Sequence, residues 1–209
     1  HNALAAIDTE LFSSRIRKAL LHRQRCFRGK EHYRVFHSDG DHIPGLVIDK
    51  YGNDVVVQIY TAGLEAFQSS ILAAVEEVLA PERLVLRNDH VERRVEALPN
   101  FIDIIKGPSD WDGVSSVVEH GLSFAVPTLS GPSTGWMFQH RSSRAFFAKA
   151  AKGKSAILDV YSHTASFARL ATAVASADRK AKEKVISVAV DNNPISVNLA
   201  KDSAGDSIG

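Results

Sequence analysis

Hydrophobic positions change their period several times along the chain, and each change marks an element. Ile7, Leu11, Ile16 and Leu20 recur at close to helical spacing, which predicts a helix over residues 8–25. Asp8 and Glu10 open it and Arg23 and Arg25 close it, as the helix dipole favours. From residue 32 the pattern turns extended, with strands expected over Tyr33–His37, Gly45–Asp49 and Asp54–Tyr60. "SDGDHIPG" and "KYGN" supply turn chemistry between them. In "AGLEAFQSSILAAVEEVLAPE", Leu64, Phe67, Ile71, Leu72, Val75 and Leu79 predict one amphipathic helix that ends at Pro81. Short strands follow in "RLVLRND", "NFIDIIKG" and "SSVVEHGLSFAVPTL", the last turning back at His120-Gly121.

After Gly131 the texture changes again. "TGWMFQHRSSRAFFAKAAKG" predicts a turn and a helix whose buried side is Phe146, Phe147 and Ala150. "SAILDVY" is a strand, "TASFARLATAVASA" a helix, "KVISVAVD" a second strand, and "NPISVNLAKDSA" a helix with Pro194 in its first turn. Alternation of this kind predicts parallel strands joined by crossovers. The fold class is therefore α/β: a compact α+β block followed by a short, incomplete doubly wound one.

Composition narrows the functional classes. A net charge of +1 excludes an overall basic protein, so any nucleic-acid contact must be a local patch. The single cysteine, Cys26, rules out a disulfide framework or a cysteine metal site and suits a reducing compartment, read here as the cytoplasm. Cys26 itself is expected to pack. No apolar run approaches the ~20 residues that span a bilayer, so no membrane partner is expected. The first residues lack an initiator Met and the pattern of a secretory signal, and a processed piece or fragment is expected. No nucleophile elbow, HExxH or Walker loop is present.

Ligands of open parallel sheets bind beyond the carboxyl ends of the strands. Two such ends are legible: Asp159 followed by "VYSHT", and Asp191 with Asn192. Asp191 could accept hydrogen bonds from both hydroxyls of a ribose, or Asp191 or Asn192 could cap the following helix. "YSHTASF" offers Ser162, Thr164 and Ser166 near a helix start but no glycine, so a plain strand–turn–helix also accounts for it. Left-handed geometry at Ala165 or Ser166 would cost roughly 1–2 kcal/mol per residue. Trp136, Gln139, His140, Arg141 and Arg144 suit a purine-bearing ligand or RNA; alternatively Trp136 and Phe138 anchor the core and the arginines are solvated. Arg15, Arg17, Lys18 and Arg23 on the first helix, continued by Arg28 and Lys30, are either a solvated face or a phosphate-contacting patch.

The order of these pieces resembles a known family. "YRVFHSDGDHIPGLVIDKYGNDVVVQ", then "GLSFAVPTLSGPSTGWMFQHRSSRAFFAKAAKGKSAILDVYSHTASFA", then "VISVAVDNNPISVNLAKDSA" resembles the S-adenosyl-L-methionine (SAM)-dependent large-subunit rRNA methyltransferases that make 5-methylcytosine. That family joins a PUA domain, a strand–strand–helix–strand–strand (EEHEE) domain and a Rossmann-like class I methyltransferase domain. The likeness implies a linker helix over 1–31 with the PUA domain absent, an EEHEE domain over 32–128, and the first part of the methyltransferase domain over 129–209. It implies SAM as cofactor, held by Asp159, Tyr161, Ser162, His163 and Thr164, with Asp191 on the ribose, Asn192 by the adenine, and His140 and Arg141 nearby. It implies rRNA as partner, contacted by Arg144, Arg15, Arg17 and Lys18.

The sequence departs from the family's pattern at definite places. Ala165 and Ser166 replace paired glycines, Gln139 replaces an Asp, and Gly131–Gly135 replaces a "GQKTG". Methylation at carbon 5 of a pyrimidine requires a thiolate to add at carbon 6, and the family's cysteine is expected downstream of residue 209. No catalytic residue is therefore assigned within these 209 residues. Two other functions are to be weighed: a non-catalytic RNA-binding relative, and a homodimer formed through the EEHEE sheet.

Overall fold

The computed structural model describes residues 6–177 and 184–204. The chain divides into two compact units, His1–Asp112 and Gly113–Gly209.

The first unit opens with α1 (Thr9–Cys26), capped by the Asp8 carboxylate, which accepts from Leu11 N at 3.1 Å. Strands β1 (His32–His37), β2 (Leu46–Tyr51) and β3 (Asp54–Ile59) follow as an antiparallel run. Next come α2 (Ala62–Glu65), α3 (Gln68–Leu79), β4 (Arg83–Asn88) and β5 (Phe101–Lys106). The five strands lie in the order β1-β2-β3-β4-β5, with only β3 and β4 parallel. Phe12, Ile16 and Ala19 of α1 and Ile71, Ala74 and Val75 of α3 bury one sheet face, formed by Val35, Ile48, Val55, Val57, Leu84 and Leu86.

The helix expected to run unbroken from residue 62 is interrupted between Glu65 and Gln68. Phe67 N–H bonds to Leu64 O at 2.9 Å, tightening the chain, and the Phe67 ring turns toward Phe12 at 6.1 Å. Glu65 is held meanwhile by the buried Arg93 at 3.0 Å. Local periodicity could not show this, because both anchors are remote in sequence. Cys26 is exposed rather than packed, with Sγ 3.8 Å from His22 Nε2 one turn back.

The second unit begins with a hairpin of β6 (Val114–Glu119) and β7 (Leu122–Pro127). Its turn residues His120 and Gly121 have φ of 53° and 81°, the left-handed pair that a tight hairpin needs. This hairpin belongs to the second unit, whereas the sequence boundary was drawn after it, at 128. A loop leads to α4 (Arg141–Ala150); there a Cβ on Gly131 would stand 2.7 Å from Pro127 O, which explains its glycine. Then β8 (Ala156–Val160), α5 (Ser166–Ala177), β9 (Ile186–Val190) and α6 (Pro194–Ala204) alternate as expected. β8 and β9 are parallel, with Asp159 opposite Ala189.

The buried side of α4 is not the one expected. Phe146 is 76% exposed and Phe147 lies at the margin, whereas Arg144 and Ala148 are buried. The helix is turned by an ion pair that hydrophobicity alone does not reveal.

Candidate functional site

Val160 ends β8, and the chain then makes three left-handed steps in five residues: Tyr161 (φ 60°), His163 (φ 51°) and Ala165 (φ 56°). None is glycine, so the conformation is strained and must be held by its surroundings. Three bonds hold it. Ser162 N–H donates to Val190 O at 3.0 Å, His163 N–H to Asp191 Oδ2 at 2.8 Å, and Ala165 N–H to Ser162 O at 2.8 Å. The loop thus hangs from the end of β9.

The two carboxylates at the strand ends play different parts. Asp159 accepts from Ala168 N–H at 3.0 Å and so serves the first turn of α5. Burial raises its pKa, and the neighbouring Asp191 charge adds to the rise. Asp191 joins the strand end to the loop: beyond His163, its Oδ1 accepts from Asn193 N–H at 2.9 Å. The cap of α6 is neither Asp191 nor Asn192. It is Asn193, whose Oδ1 accepts from Ile195 and Ser196 N–H at 3.0 and 3.2 Å. The Asx geometry needs the side chain immediately before Pro194, and only Asn193 stands there.

The polar atoms around the loop are unevenly satisfied. Thr164 Oγ1 and His163 Nε2 are buried without a hydrogen-bond partner. Burial lowers the His163 pKa; the Asp191 charge opposes this and the Arg144 charge adds to it. Ser162 is buried, Tyr161 is 84% exposed and Asn192 is exposed. Ala165 is only 4% exposed. Its methyl group is therefore packed within the unit and does not stand on an outward surface of the loop.

A second cluster gathers around a residue that the sequence reading missed, Glu119. Arg144 Nε and Nη2 donate to its two oxygens at 2.6 and 3.0 Å, and Arg141 Nε donates at 3.1 Å. Burial raises the Glu119 pKa, but the hydrogen bonds and charges of the two arginines outweigh it and leave the carboxyl below its ordinary 4.5. The Arg144 guanidinium lies 4.4 Å from the centre of the buried Trp136 ring. Arg144, expected to face RNA, is thus an interior residue. His140 lies beside the Phe167 ring at 6.2 Å, and Arg141 over Phe138 at 5.5 Å. A signal for Glu119 did exist: Ser115, Val117 and Glu119 share the inward face of β6, and an acid in that row needs a cation.

On α1, Arg17 is paired with Glu77 of α3 and lies 3.8 Å from Glu10. The Ser13 hydroxyl also donates to Glu77, at 2.6 Å. Lys18 is exposed and Arg15 half-buried. Among the described residues no group of His, Cys, Asp or Glu is placed to hold a metal ion, and no helix is long and apolar enough to cross a membrane.

A parallel β8–β9 ladder flanked by helices, with acidic residues at both strand ends, is the architecture of a Rossmann-like methyltransferase fold. Solved structures bear this out. A SAM-dependent methyltransferase from Streptococcus mutans superimposes with a TM-score of 0.74 at 22% identity, over 96% of this chain and 49% of that one. A methyltransferase complexed with SAH gives 0.73 with the same identity and coverage. The tRNA m1G37 methyltransferase of M. jannaschii gives 0.56 at 14% identity, over 92% of this chain and 48% of that one.

Sequence relatives are more particular. The chain is 28% identical over 165 residues to ribosomal RNA large subunit methyltransferase I of Shewanella amazonensis, 78% of this chain and 41% of the relative. It is 31% identical over 164 residues to the protein of that name from Alteromonas mediterranea, with the same coverages. The chain thus spans 41% of the length of these curated relatives. No family model matches it.

Proposed function

We propose that the protein is a SAM-dependent methyltransferase acting on large-subunit rRNA, and that the β8–α5 and β9–α6 junctions form its cofactor site. The observation that carries this reading is the division of labour at the end of β9. Asn193 caps α6, so Asp191 is not needed as the cap and its carboxylate remains beside the loop. Asp191 can accept from the ribose hydroxyls, because each carboxylate oxygen has a further lone pair beyond the backbone bond it already takes. Tyr161, just past the end of β8, and Asn192, next to Asp191, are exposed at the two strand ends and suit the adenine. The unpartnered Thr164 Oγ1 and His163 Nε2 are the polar atoms a ligand could satisfy. When bound, SAM supplies an electrophilic methyl group on a sulfonium; the chain's part is to orient it and exclude water.

The relatives' names support the RNA substrate, the names and fold the methyl donor, the ordered sequence likeness cytosine C5 as the target, and the single cysteine a reducing compartment such as the cytoplasm. C5 chemistry needs a thiolate. The only cysteine of these residues is Cys26, in α1, outside the unit that holds the loop. Calorimetric titration of the protein with SAM tests the reading. Saturable binding is expected, with Asp191→Asn weakening it about tenfold, the order of one charge-assisted hydrogen bond, while Asn193→Ala leaves affinity unchanged. No heat at millimolar SAM overturns it.

A further inference from the structure

The basic residues of α1 are not alike. Arg17 is neutralised by Glu77 and Glu10, and Arg23 forms a two-pronged pair with Asp41. Arg15, Lys18, His22 and Arg25 recur at i, i+3, i+7 and i+10, so they share one face of the helix. None of the four has a carboxylate partner among the described residues. The stripe runs about 15 Å along the helix, and Arg28 and Lys30 continue it past the helix end. The buried residues of α1 are Phe12, Ser13, Ile16 and Ala19; Phe12 and Ala19 stand three and four positions from Arg15, so the stripe borders the buried side there.

At its Arg15 end the stripe meets a cleft of about 230 Å³. Phe12, Ile43, Leu64 and Phe67 form apolar walls, with Arg15 and His42 also lining it. His42 is held in a left-handed conformation (φ 68°) by bonds of its N–H to Asp39 and Ser38 O. An apolar-walled cleft beside Arg15, Lys18 and Arg25, cations with no carboxylate partner among the described residues, matches a nucleotide of single-stranded RNA. Its base has an apolar face that stacks on rings, and its phosphates are repeated charges.

We propose that this cleft receives one unstacked base of the RNA substrate while Arg15, Lys18, His22 and Arg25 follow the adjoining phosphates. The inference rests on the RNA reading above but uses neither the cofactor loop nor SAM. It narrows the predicted RNA-contacting set on α1, since Arg17 is engaged by α3.

Gly63 gives a clean test. It lines the cleft, its φ is not in the left-handed region, and no atom lies within 4 Å of where its Cβ would stand. Gly63→Phe should therefore be tolerated and should fill the slot. The probe is a short single-stranded RNA carrying 2-aminopurine, titrated against the whole protein at several salt concentrations. With wild type, binding should change the 2-aminopurine emission. Gly63→Phe should weaken binding about tenfold, abolish that change and leave the salt slope intact, as should the uncharged Ile7→Asn at the cleft edge. Lys18→Glu with Arg25→Glu should flatten the slope by about 1.4, at ~0.7 per single-strand phosphate contact. If both cleft variants bind and fluoresce as wild type does, the cleft serves another occupant, such as an apolar peptide, and the inference falls while the RNA reading stands. If wild type does not bind RNA, the substrate reading falls and this inference falls with it. SAM affinity should be unchanged in all four substitutions.

Discussion

In the first unit two helices lie on one face of a five-stranded sheet, and the side chains between them are large and fully buried. In the second, the β8–β9 ladder has beside it, among the described residues, a smaller cluster of Ala151, Ile157, Ala171 and Ala175, with Val185 packed against it. Its other face leaves Leu158 63%, Val160 54%, Ile186 67% and Val188 47% exposed. Parallel strands normally have both faces covered and are apolar on both, which is the composition seen here. The second unit also buries Val117, Phe124, Val126, Trp136 and Leu170, and among them it buries the charged Glu119 group with Arg144 and Arg141. The first unit's core is organised by apolar burial, and the second adds a buried ion-pair group to its apolar one.

Glu119 is the sharpest place to break that contrast. Glu119→Gln leaves two cations without their counter-charge, and the second unit should lose ~3–5 kcal/mol, the usual consequence of removing one partner of a buried pair. Domain-resolved hydrogen exchange would show whether the loss is confined to residues after 113. The pH dependence has a definite sign. The folded pKa of Glu119 is depressed, so its contribution is fully present above the ordinary 4.5 and is lost as pH falls through the folded value. The Gln variant should therefore approach wild type in acid; an equal gap at every pH would assign the effect to packing instead.

The apolar half of the comparison is tested by a pair of truncations. Leu86→Ala in the first unit should destabilise it by about 2–5 kcal/mol. Val188→Ala on the bare face of the ladder should change stability by no more than about 0.5 kcal/mol. Urea melts followed by unit-specific probes would read both. Comparable losses would mean that the exposed face is covered in solution.

A smaller effect is expected at the loop. Ala165 has a φ of 56°, and Ala165→Gly removes a Cβ from left-handed backbone. The ~1 kcal/mol relief is opposed by the greater freedom of glycine in the unfolded chain and by loss of the buried methyl, so the net change should stay within about 0.5 kcal/mol. A melting temperature close to wild type is the expected result; a clear rise would show that backbone strain dominates, and a clear fall that packing does.

Much of this organisation was legible in the residues. The alternation after Gly131 gave β8, α5, β9 and α6 almost to the residue, because period and turn chemistry agreed there. The hairpin at His120-Gly121 was equally plain. What was not legible depended on partners far away in the chain. The orientation of α4 follows from Arg144 reaching Glu119 across 25 positions, and hydrophobicity assigned that helix the wrong side. The break before α3 follows from Glu65 meeting Arg93 and Phe67 meeting Phe12. At the site, the sequence placed Asp191 correctly at the strand end but could not separate its role from the cap, because Asp, Asn and Asn stand in succession and only geometry distinguishes them.

The alternating left-handed backbone at Tyr161, His163 and Ala165 bears on how a ligand would be met. An unfolded chain visits such a triplet rarely when none of the three is glycine. The ordering entropy of this loop is accordingly met during folding, by bonds to Val190 and Asp191, before any ligand arrives. A glycine-rich loop would instead leave part of that entropy to be lost on binding. Preorganisation of this kind lowers the ordering entropy that any ligand of the loop would have to meet, so the lack of glycine in "YSHTASF" is consistent with a ligand-holding loop.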